Sequence, residues 1–450
     1  MGTVQNPYSK KQEKGVLSSP HVKLGIIALV FIFLMWLFYN YSFAVYAALI
    51  GMSVVSIFSG LVYIIIHKEM PEAKPPKLEK YPTLAVLVPS FNSGKTLKRA
   101  VESIRAMKYP IPFRVIVMDD ASTDGSIEQI RSVKGIEVVT LGKNAGKAAA
   151  LNKGIALCDT DLVACIDSDT YPPENTLMEA VPYFYAKPRV GAVTLYIVVA
   201  NKAKNLLTRV QEIEYYSSFG FVSKVMAKIN GLMVTPGPMS IYRRDMLAKI
   251  GGYDEKNITE DMEMGLRVQS NGYEIECCTD VLVPTEVPET FQALYRQRIR
   301  WFRGTIFNLQ KYGHMMLNPR FGDFGFFSYP AVVLYVCFTW VIFAILFFRL
   351  ATTALSSLFE LYLSASVNSI SFAPRFYESI YMINSTMILF ALSLVVWAYF
   401  LHCSVKIAKV KLGFEHVLPS LFVLIVYPAM ISWFYVTSLI KEATESELKW

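Results

Sequence analysis

The sequence predicts an α/β domain with a parallel β-sheet, inserted between membrane-spanning α-helices, two before it and three after it. Three observations support this fold class: apolar runs occupy both ends of the 450-residue chain, short apolar runs alternate with helical segments in its middle, and polar clusters follow several of the short runs. The composition agrees, because 53% of the residues are hydrophobic and only 18% are charged, whereas about a quarter are charged in a typical globular protein. A disordered chain is excluded, since it would be poor in aromatic residues and rich in charge.

The long apolar runs predict five membrane spans. Two runs open the chain, at 24–39 and 43–66, and three close it, at about 329–348, 380–401 and 417–440. A helix needs about 20 apolar residues to cross a bilayer, and the first run reaches that length if the residues that follow it lie at the membrane interface. A cleaved signal peptide is a poor explanation of the first run, because no small-residue cleavage site follows and the second run begins at once.

Lysines flank the apolar runs on one predicted side of the membrane. They precede the first run, follow the second and separate the fourth from the fifth, whereas the loops 40–42 and 351–379 carry almost no Lys or Arg. By the positive-inside rule, the N-terminus and the central domain are predicted to be cytoplasmic and the C-terminus to lie outside. The net charge of +8 therefore belongs to a membrane surface, and no nucleic-acid partner is expected, because the chain has no basic stripe or nucleic-acid motif. The flanking lysines are Lys10, Lys11, Lys14, Lys23, Lys68, Lys74, Lys77, Lys80, Lys406, Lys409 and Lys411.

The middle of the chain predicts the α/β domain. Short apolar runs that end in polar turns are typical of buried strands, and helical segments at 96–107 and 147–156 lie between them. In a parallel sheet of this kind, ligands gather at the carboxyl ends of the strands. The predicted strands are 84–88, 115–118, 138–141, 162–166 and 192–197.

Polar residues follow three of these strands. Asn92 comes after the first, Asp119 and Asp120 after the second, and Asp167 and Asp169 after the fourth. Each cluster alone is compatible with a turn or a helix cap, but several of them at one sheet edge indicate a site. Two carboxylates at a strand end offer the hard oxygen ligands that Mg²⁺ or Mn²⁺ takes together with substrate phosphates. A metal-bound diphosphate is the predicted ligand.

Two further motifs carry chemistry. Thr259 is predicted to cap a helix through residue 268, which would keep Asp261 ionised as a general base; alternatively, the acids there only satisfy the helix dipole. The segment 291–307 is rich in Arg and aromatic residues and contains Arg300, which can neutralise a departing diphosphate, and Trp301, on which a sugar ring can stack. As an amphipathic interfacial helix, the same segment needs no role in catalysis.

Taken in order, these motifs resemble the membrane-embedded inverting glycosyltransferases of family 2, which include cellulose, chitin, hyaluronan and poly-N-acetylglucosamine synthases. The resemblance covers about 83–304, roughly half of the chain, and rests on the strand-end Asp pair, the Asp-x-Asp motif, Thr-Glu-Asp and Gln-Arg-x-Arg-Trp. It is closest in pattern to the poly-N-acetylglucosamine synthases, given two spans before the domain and three after it. It implies a GT-A-type fold for the cytoplasmic domain.

The resemblance also implies roles for individual residues. Asp261 would deprotonate the acceptor hydroxyl, which inverts the anomeric carbon, and Asp167 and Asp169 would hold a Mg²⁺ or Mn²⁺ ion with the diphosphate. Asn92, Asp119 and Asp120 would bind the nucleoside. The donor-binding set is Asn92, Asp119, Asp120, Lys147, Asp167, Gln297, Arg298 and Arg300, and the acceptor-binding set is Pro236, Gly237, Pro238, Glu260 and Trp301.

The predicted enzyme is a UDP-sugar-dependent hexosyltransferase that extends a polysaccharide and extrudes it through its own spans. Its predicted partners are the UDP-sugar, the growing polysaccharide and the lipid bilayer. A small membrane accessory subunit is also compatible with the resemblance. Three alternatives stay open: a non-processive transferase with a lipid-linked acceptor, a hyaluronan-, chitin- or cellulose-type synthase with a different sugar, and a transporter with a nucleotide-binding insert. The last is disfavoured, because the predicted spans lack charged residues and the chain lacks a repeat.

These inferences divide the chain into seven parts. They are a cytoplasmic N-terminal tail (1–22), a two-helix transmembrane hairpin (23–67), a linker (68–82), a GT-A glycosyltransferase domain (83–285), interfacial helices that carry the Gln-Arg-Ile-Arg-Trp signature (286–328), three transmembrane helices (329–440) and a C-terminal tail (441–450).

Overall fold

A computed structural model describes residues 20–40, 42–72, 75–367 and 385–444 of the chain. Most of the predicted N-terminal tail, the end of the C-terminal tail and part of the loop before the fourth predicted span lie outside these described residues. So do Lys10, Lys11, Lys14 and Lys74, on which part of the predicted orientation depends.

The central domain contains a seven-stranded sheet in the order β3-β2-β1-β4-β6-β5-β7. The five predicted strands are present, with bounds that agree to within two residues. Two further strands were not predicted, and they complete the sheet. The strands are β1 Leu84–Ser90, β2 Arg114–Asp119, β3 Glu137–Thr140, β4 Leu162–Ile166, β5 Val190–Val199, β6 Met239–Arg243 and β7 Glu274–Thr285.

The sheet is mixed, so the prediction of a parallel sheet is wrong. β1, β2, β3 and β4 run parallel, and β5 runs parallel to β7, but β6 lies antiparallel between β4 and β5. The sequence hides β6 because it is only five residues long and includes Ser240 and Arg243. It hides β7 because Glu274, Glu276 and Asp280 interrupt its apolar residues. Neither strand is the continuous apolar run that marks a buried parallel strand.

Helices cover both faces of the sheet, and an apolar core lies under each layer. Successive side chains of a strand point to opposite faces, so in β1 Leu84, Val86 and Val88 belong to one core and Ala85 and Leu87 to the other. The helices of the domain are α3 Leu97–Arg105, α4 Ser126–Ile130, α5 Lys147–Ala156, α6 Thr176–Ala180, α7 Leu206–Tyr215, α8 Ser223–Lys228, α9 Arg244–Ile250 and α10 Glu260–Ser270.

Long apolar helices precede and follow the domain. Within the described residues, four stretches are long and apolar enough to cross a membrane, namely Ala47–Glu69, Phe324–Leu363, Met387–Ala408 and Phe414–Ala443, and a further apolar helix at Leu24–Asn40 is shorter. The helices outside the domain are α1 Pro20–Asn40, α2 Ser42–Glu69, α11 Phe291–Lys311, α12 Tyr329–Val367, α13 Ser385–Ala408, α14 Val417–Leu421 and α15 Tyr427–Ala443.

The third predicted span is longer than expected. α12 has 39 residues, which at 1.5 Å per residue is about 58 Å, against about 30 Å for the hydrocarbon core of a bilayer. The loop predicted to begin at residue 351 is therefore helical as far as Val367. The reason is local: residues 350–367 are rich in Leu and Ala and contain neither Gly nor Pro, so nothing there ends a helix.

The last predicted span contains Pro428, which the helix accommodates by a change of hydrogen bonding. A π-helical segment, Phe422–Val426, separates α14 from α15, and Pro428 occupies the second position of α15. Proline has no backbone N–H to donate to a preceding carbonyl, and a wider turn just before it is one of the ways in which membrane helices tolerate that loss.

Candidate active site

The site forms where the carboxyl end of β4 meets the start of β6. Because β6 runs antiparallel to β4, the loop that enters β6 lies beside the residues that leave β4. The backbone N–H of Asp167 donates to the carbonyl oxygen of Pro238 at 3.2 Å. The predicted acceptor segment, Pro236 to Pro238, therefore lies next to the predicted metal motif. The strand that places it there is β6, which the sequence did not predict.

Lys147 lies at the centre of a cluster of carboxylates, which we call the carboxylate cluster: Asp167, Glu260 and Asp261. Its Nζ lies 2.6 Å from Asp167 Oδ1 and 3.1 Å from Glu260 Oε1. The cluster lines a small cavity together with Thr235, Pro236 and Gly237. The helix α5 begins at Lys147, and α10 begins at Glu260, so two helix N-termini bring these side chains together with the end of β4.

Gly237 makes this convergence possible. A Cβ at this position would lie 2.7 Å from Lys147 Nζ, 3.1 Å from Asp167 Oδ2 and 3.7 Å from Asp261 Oδ2. The first of these separations is shorter than any normal contact, so the lysine and its partners occupy the space that a side chain at 237 would need.

Asp261 lies partly buried in the first turn of α10. Its Oδ1 accepts a hydrogen bond from the backbone N–H of Met262 at 2.8 Å, and the backbone N–H of Gly237 donates to Oδ2 at 3.4 Å. Burial and the neighbouring Glu260 raise the pKa of Asp261 above its ordinary value, against the opposing effect of Lys147 and the backbone donor. The backbone N–H of Met262, in the first turn of α10, acts to lower the pKa of Asp261, the direction expected of a helix N-terminus, but the net shift is upward.

Thr259 occupies the N-cap position of α10, as predicted, but its side chain does not cap the helix. Its Oγ1 donates instead to Asn257 Oδ1 at 3.3 Å and accepts from Asn308 Nδ2 at 3.0 Å. The predicted side-chain cap is therefore wrong, because the Thr259 hydroxyl bonds to two asparagines instead of to a backbone N–H of the first turn of α10.

The pKa values of Glu260 and Lys147 are shifted in opposite directions. Burial raises the pKa of Glu260, but the charges of Lys147 and Arg300 outweigh it and hold that pKa below the ordinary value. Burial alone would lower the pKa of Lys147, and Asp167 with Glu260 and Asp261 reverses that effect. At neutral pH the Lys147 ammonium and the Glu260 carboxylate are both charged. Of the two neighbouring carboxyls Glu260 and Asp261, only Asp261 has a pKa that is shifted toward neutral pH.

Asp169 lies two residues beyond Asp167, and the pKa of its carboxyl is raised to about 6 by burial and by the charge of Asp167. Thr285, at the end of β7, donates to Asp169 Oδ1 at 3.2 Å. No group of three or more His, Cys, Asp or Glu side chains that could hold a metal ion occurs in the described part of the chain. Two closely spaced carboxylates nevertheless fit Mg²⁺ or Mn²⁺, because these ions take one or two carboxylates and complete their shell with phosphates and water.

The predicted nucleoside ligands Asn92 and Asp119 follow β1 and β2. The backbone N–H of Thr123 donates to Asn92 Oδ1 at 2.9 Å, and the backbone N–H of Ser122 donates to Asp119 Oδ1 at 3.0 Å. Asn92 has a positive φ of 49°, a conformation that asparagine adopts more readily than most residues. The bond between Thr123 and Asn92 joins the loops that follow β1 and β2, at the sheet edge where the sequence predicts that they meet.

Asp120 holds the start of α5. Its two carboxylate oxygens accept hydrogen bonds from the backbone N–H groups of Ala145 and Gly146, at 2.7 and 2.8 Å. The side chain is nearly fully buried. In this structure Asp120 therefore orients the turn that carries Lys147, and its contact with a nucleoside stays a prediction.

The Gln-Arg-Ile-Arg-Trp signature lies on α11. The charge of Arg300 acts to lower the pKa values of Glu260 and Asp261, and its role at the diphosphate stays a prediction. Arg298 is 1% exposed, its Nη2 donates to Glu214 Oε2 at 2.6 Å, and its guanidinium lies 4.2 Å from the centre of the Trp301 ring. The structure thus pairs Arg298 with Glu214 and Trp301, and its role as a donor ligand stays a prediction. Gln297 Oε1 is buried with no hydrogen-bond partner among the described residues.

Sequence reasoning missed the residues that support the site from behind. Asn257, Asn308 and Gly304 contact Thr259, and Thr285 contacts Asp169. One signal was available: Gly304 and Asn308 follow Arg300 at intervals of four residues, which places them on one face of a helix.

Residues 82–304 match a protein-family model described as glycosyltransferase like family 2. The chain carries a family 2 glycosyltransferase domain. This confirms the family that the motifs resembled. The matched range coincides closely with the predicted range of 83–304, and it ends at Gly304, just beyond the Gln-Arg-Ile-Arg-Trp signature.

Curated relatives of the family 2 domain include two bacterial enzymes. The chain is 29% identical over 224 residues to the poly-beta-1,6-N-acetyl-D-glucosamine synthase of Staphylococcus aureus (strain COL) and 30% identical over 224 residues to that of Staphylococcus epidermidis (strain ATCC 35984). Each alignment covers 49% of this chain and 54% of the relative. The chain therefore spans about half the length of the curated relatives that it matches.

A solved structure resembles a larger part of the chain. The mannosyltransferase PcManGT of Pyrobaculum calidifontis, in complex with GDP-Man and Mn²⁺, matches 90% of this chain and 98% of its own, with a TM-score of 0.61 and 19% sequence identity. At this identity the likeness concerns the fold. It confirms a GT-A-like mixed α/β fold for the family 2 domain.

Proposed function

We propose that the protein is an inverting, divalent-cation-dependent glycosyltransferase of the membrane. In this proposal it transfers a sugar from a UDP-sugar to the end of a growing polysaccharide and passes the product through a channel formed by its own spans. The family 2 domain is cytoplasmic, the N-terminus lies inside and the C-terminus outside. The curated relatives with names that denote poly-beta-1,6-N-acetyl-D-glucosamine synthases support a donor of the N-acetylhexosamine class.

The observation that carries the proposal is the carboxylate cluster around Lys147 in a family 2 domain. It combines a fixed cation, a carboxylate held ionised and a carboxyl with a raised pKa within one cavity. A general base works best when its pKa lies close to the working pH, and Asp261 is shifted in that direction. Lys147 and Arg300 supply the positive charge that a departing diphosphate needs.

Asp167 and Asp169 would hold the Mg²⁺ or Mn²⁺ ion, because they offer paired carboxylates beside the cavity. The bound ion would neutralise the diphosphate of the donor. Independently of the ion, Thr285 orients the Asp169 carboxylate through its bond to Oδ1, and Lys147 Nζ orients the Asp167 carboxylate from 2.6 Å.

In the transfer, Asp261 takes the proton of the acceptor hydroxyl as that oxygen attacks the anomeric carbon from the face opposite the diphosphate. The bond between the sugar and the diphosphate breaks, and the configuration inverts. Trp301 provides the flat apolar surface on which the acceptor sugar stacks. Arg298 already occupies one face of the indole, so the acceptor would use the other face.

The position of α11 supports the proposed route of the product. Its Phe302 ring stacks on Tyr435 of α15 with 4.0 Å between centres, and Arg303 donates to Glu442 at 3.0 Å. The helix that carries Trp301 is therefore packed directly on an apolar helix of spanning length. A polymer that leaves Trp301 would enter the bundle at this contact.

The proposal is tested with the purified full-length protein in nanodiscs. A panel of UDP-N-acetylglucosamine, UDP-glucose, UDP-glucuronate and GDP-mannose is supplied with Mg²⁺ or Mn²⁺, and both nucleotide release and product length are measured. We expect turnover with a UDP-N-acetylhexosamine, dependence on the cation and chains of many sugars. Turnover with GDP-mannose alone would contradict the donor, and products that carry a single sugar on an extracted lipid would favour the non-processive alternative.

Substitution of Asp261 tests its proposed role as the general base. Asp261→Asn keeps the size of the side chain and one oxygen that can accept from the Met262 N–H, but it cannot take the proton, so turnover should fall by at least about 100-fold. Binding of UDP with Mn²⁺, measured by calorimetry, should change little, because the nucleotide is held elsewhere. Normal turnover in this variant would remove Asp261 from the proposed role.

A further inference from the structure

One face of α11 contacts the segment that carries Asp261 at four successive levels. Arg300, Gly304, Asn308 and Lys311 are spaced by four, four and three residues, so they share one side of the helix. We call these four residues the positioning face of α11. Every one of them acts on residues 254–263, the loop that precedes α10 and the first turn of that helix.

Gly304 brings the helix backbone into direct contact with the loop. A Cβ at position 304 would collide with the Oγ1, Cγ2 and Cβ atoms of Thr259. Glycine weakens the interior of a helix compared with alanine, and here it is the residue that permits the close approach. Thr259 stands two residues before Asp261.

Asn308 fixes the loop by hydrogen bonds within a buried network. Its Nδ2 donates to Thr259 Oγ1 at 3.0 Å, and Asn257 Nδ2 donates to Asn308 Oδ1 at 2.7 Å. The backbone N–H of Thr259 donates to Asn257 Oδ1 at 3.0 Å. Asn308 is 0% exposed, and Asn257 and Thr259 are nearly as buried, so water does not replace a bond that is lost here.

The two ends of the positioning face act through charge. Lys311 Nζ donates to Asp254 Oδ2 at 2.8 Å and to Glu263 Oε1 at 2.7 Å, on either side of the catalytic segment. At the other end, Arg300 acts electrostatically on the Asp261 carboxyl. The loop is thereby held over the whole length of its contact with α11.

We propose that Gly304 and Asn308 are positioning residues that set the place of Asp261 relative to Arg300 and Trp301. The inference rests on the proposed function, since it concerns the same base and the same signature. One rigid helix then carries the residues that meet the diphosphate and the acceptor, and also locates the base that activates the acceptor. The proposed ligands of the nucleoside and the metal ion lie on other elements, at the ends of β1, β2 and β4, and Arg300 stays on α11 itself, so nucleotide binding should not depend on the contact between α11 and the loop.

The test compares Asn308→Ala with Gln310→Ala, a control on the exposed side of the same helix, in the full-length protein. UDP release gives kcat and the KM for the donor, and calorimetry gives the affinity for UDP with Mn²⁺. We expect kcat to fall about 10- to 100-fold in Asn308→Ala, the loss that follows from a displacement of about 1 Å in a catalytic group. The UDP affinity of this variant and all parameters of the control should stay within about twofold of the wild type.

A second pair of variants protects the test against a folding defect in Asn308→Ala. Gly304→Ala forces Thr259 away from the helix, whereas Gly313→Ala adds a methyl group in open space just beyond α11. The first should show the same loss of kcat with unchanged UDP binding, and the second should behave as the wild type. Variants as active as their controls, or a loss of UDP binding in step with kcat, would overturn the inference. An inactive wild-type protein would instead contradict the proposed function itself.

Discussion

Lys147 is the residue on which the charge balance of the site depends. Its ammonium group forms ion pairs with Asp167 and Glu260. Its charge also acts to lower the pKa values of Glu260 and Asp261. Glu260 acts on Asp261 in the opposite direction, since its own negative charge disfavours ionisation next to it. The protonation of the proposed base is therefore set by two neighbours of opposite sign.

Removal of Glu260 should change the pH dependence of turnover. Asp261 works in its deprotonated form, so kcat falls as the pH falls through the pKa of Asp261. Glu260→Gln removes a charge that raises this pKa, and the acidic limb of the kcat profile should therefore move to lower pH. The measurement is kcat against pH for this variant and for Glu102→Gln, which removes the same charge from the exposed side of α3. An acidic limb that stays in place, or moves to higher pH, would contradict the coupling.

Substitution of Gly237 should test how tightly the cluster is packed. A methyl group there would lie 2.7 Å from Lys147 Nζ, so Gly237→Ala should displace the ammonium from Asp167 and lower turnover at least about tenfold. Gly142→Ala is the matched control, because a Cβ at that position meets nothing within 4 Å. The comparison uses UDP release and the apparent melting temperature. Equal activity of the two variants would show that Lys147 moves aside at no cost.

The resemblance placed Asp167, Glu260 and Asp261 in one site, and the structure brings these three side chains together around Lys147. Their roles stay predictions, and their bonding was not predicted. The sequence does not state that Asp120 is fully engaged by backbone N–H groups or that the Thr259 hydroxyl turns to Asn257. Those outcomes depend on loops that approach from distant parts of the chain.

At the scale of elements, local signals were enough where an element was continuous and apolar. The run 162–166 became β4 with the same bounds, and the helix predicted at 147–156 is α5. β6 shows the limit. Its direction is set by the return of the chain between β4 and β5, and no local pattern distinguishes an antiparallel strand from a parallel one when both of its faces are covered.

α11 carries the Gln-Arg-Ile-Arg-Trp signature and packs on the apolar helix α15. The buried ion pair that it forms with Glu214 allows a prediction about stability. Arg298 is 1% exposed and its partner Glu214 is 19% exposed. Glu214→Gln leaves a buried guanidinium without its counter-charge, which typically destabilises a protein by about 3–5 kcal/mol. The double variant Glu214→Gln with Arg298→Met removes both charges and should recover much of that loss.

The measurement is the apparent melting temperature in nanodiscs. As a control, Asp245→Asn breaks the ion pair of Asp245 with Lys249, in which both side chains are about two-thirds exposed, and such a pair contributes at most about 1 kcal/mol. A double variant less stable than Glu214→Gln alone would show that Arg298 stabilises the fold through Trp301 rather than through the ion pair.

At the scale of the whole molecule, composition predicted a membrane protein and the order of elements explains where its apolar residues lie. The exposed apolar side chains concentrate in α1, α2, α12, α13 and the stretch 417–426, whereas those of the family 2 domain are mostly buried. Helix length is less predictable, because hydropathy marks where a span must be but not where its helix ends. α12 continues beyond the run that predicted it, since no residue there stops it.

The arrangement of spans gives the last prediction. If α1 and α2 form a transmembrane hairpin, Lys23 and Lys80 lie on the cytoplasmic side and Tyr39 lies outside, and the length of α12 places Leu358 outside as well. Single cysteines at these positions are labelled in intact cells with a membrane-impermeant maleimide. The native cysteines interfere little, because five are buried and Cys337 lies within α12.

Tyr39→Cys and Leu358→Cys should react in intact cells, and Lys23→Cys and Lys80→Cys should react only after permeabilisation. Lys23 is the decisive position. Because α1 is shorter than the other apolar helices, it either crosses the bilayer or lies at its surface, and only the crossing places Lys23 on the same side as the family 2 domain. Labelling of Lys23→Cys from outside, with Lys80→Cys still protected, would show that α1 does not cross the bilayer. The bundle would then have four spans, and α1 would not line the proposed channel.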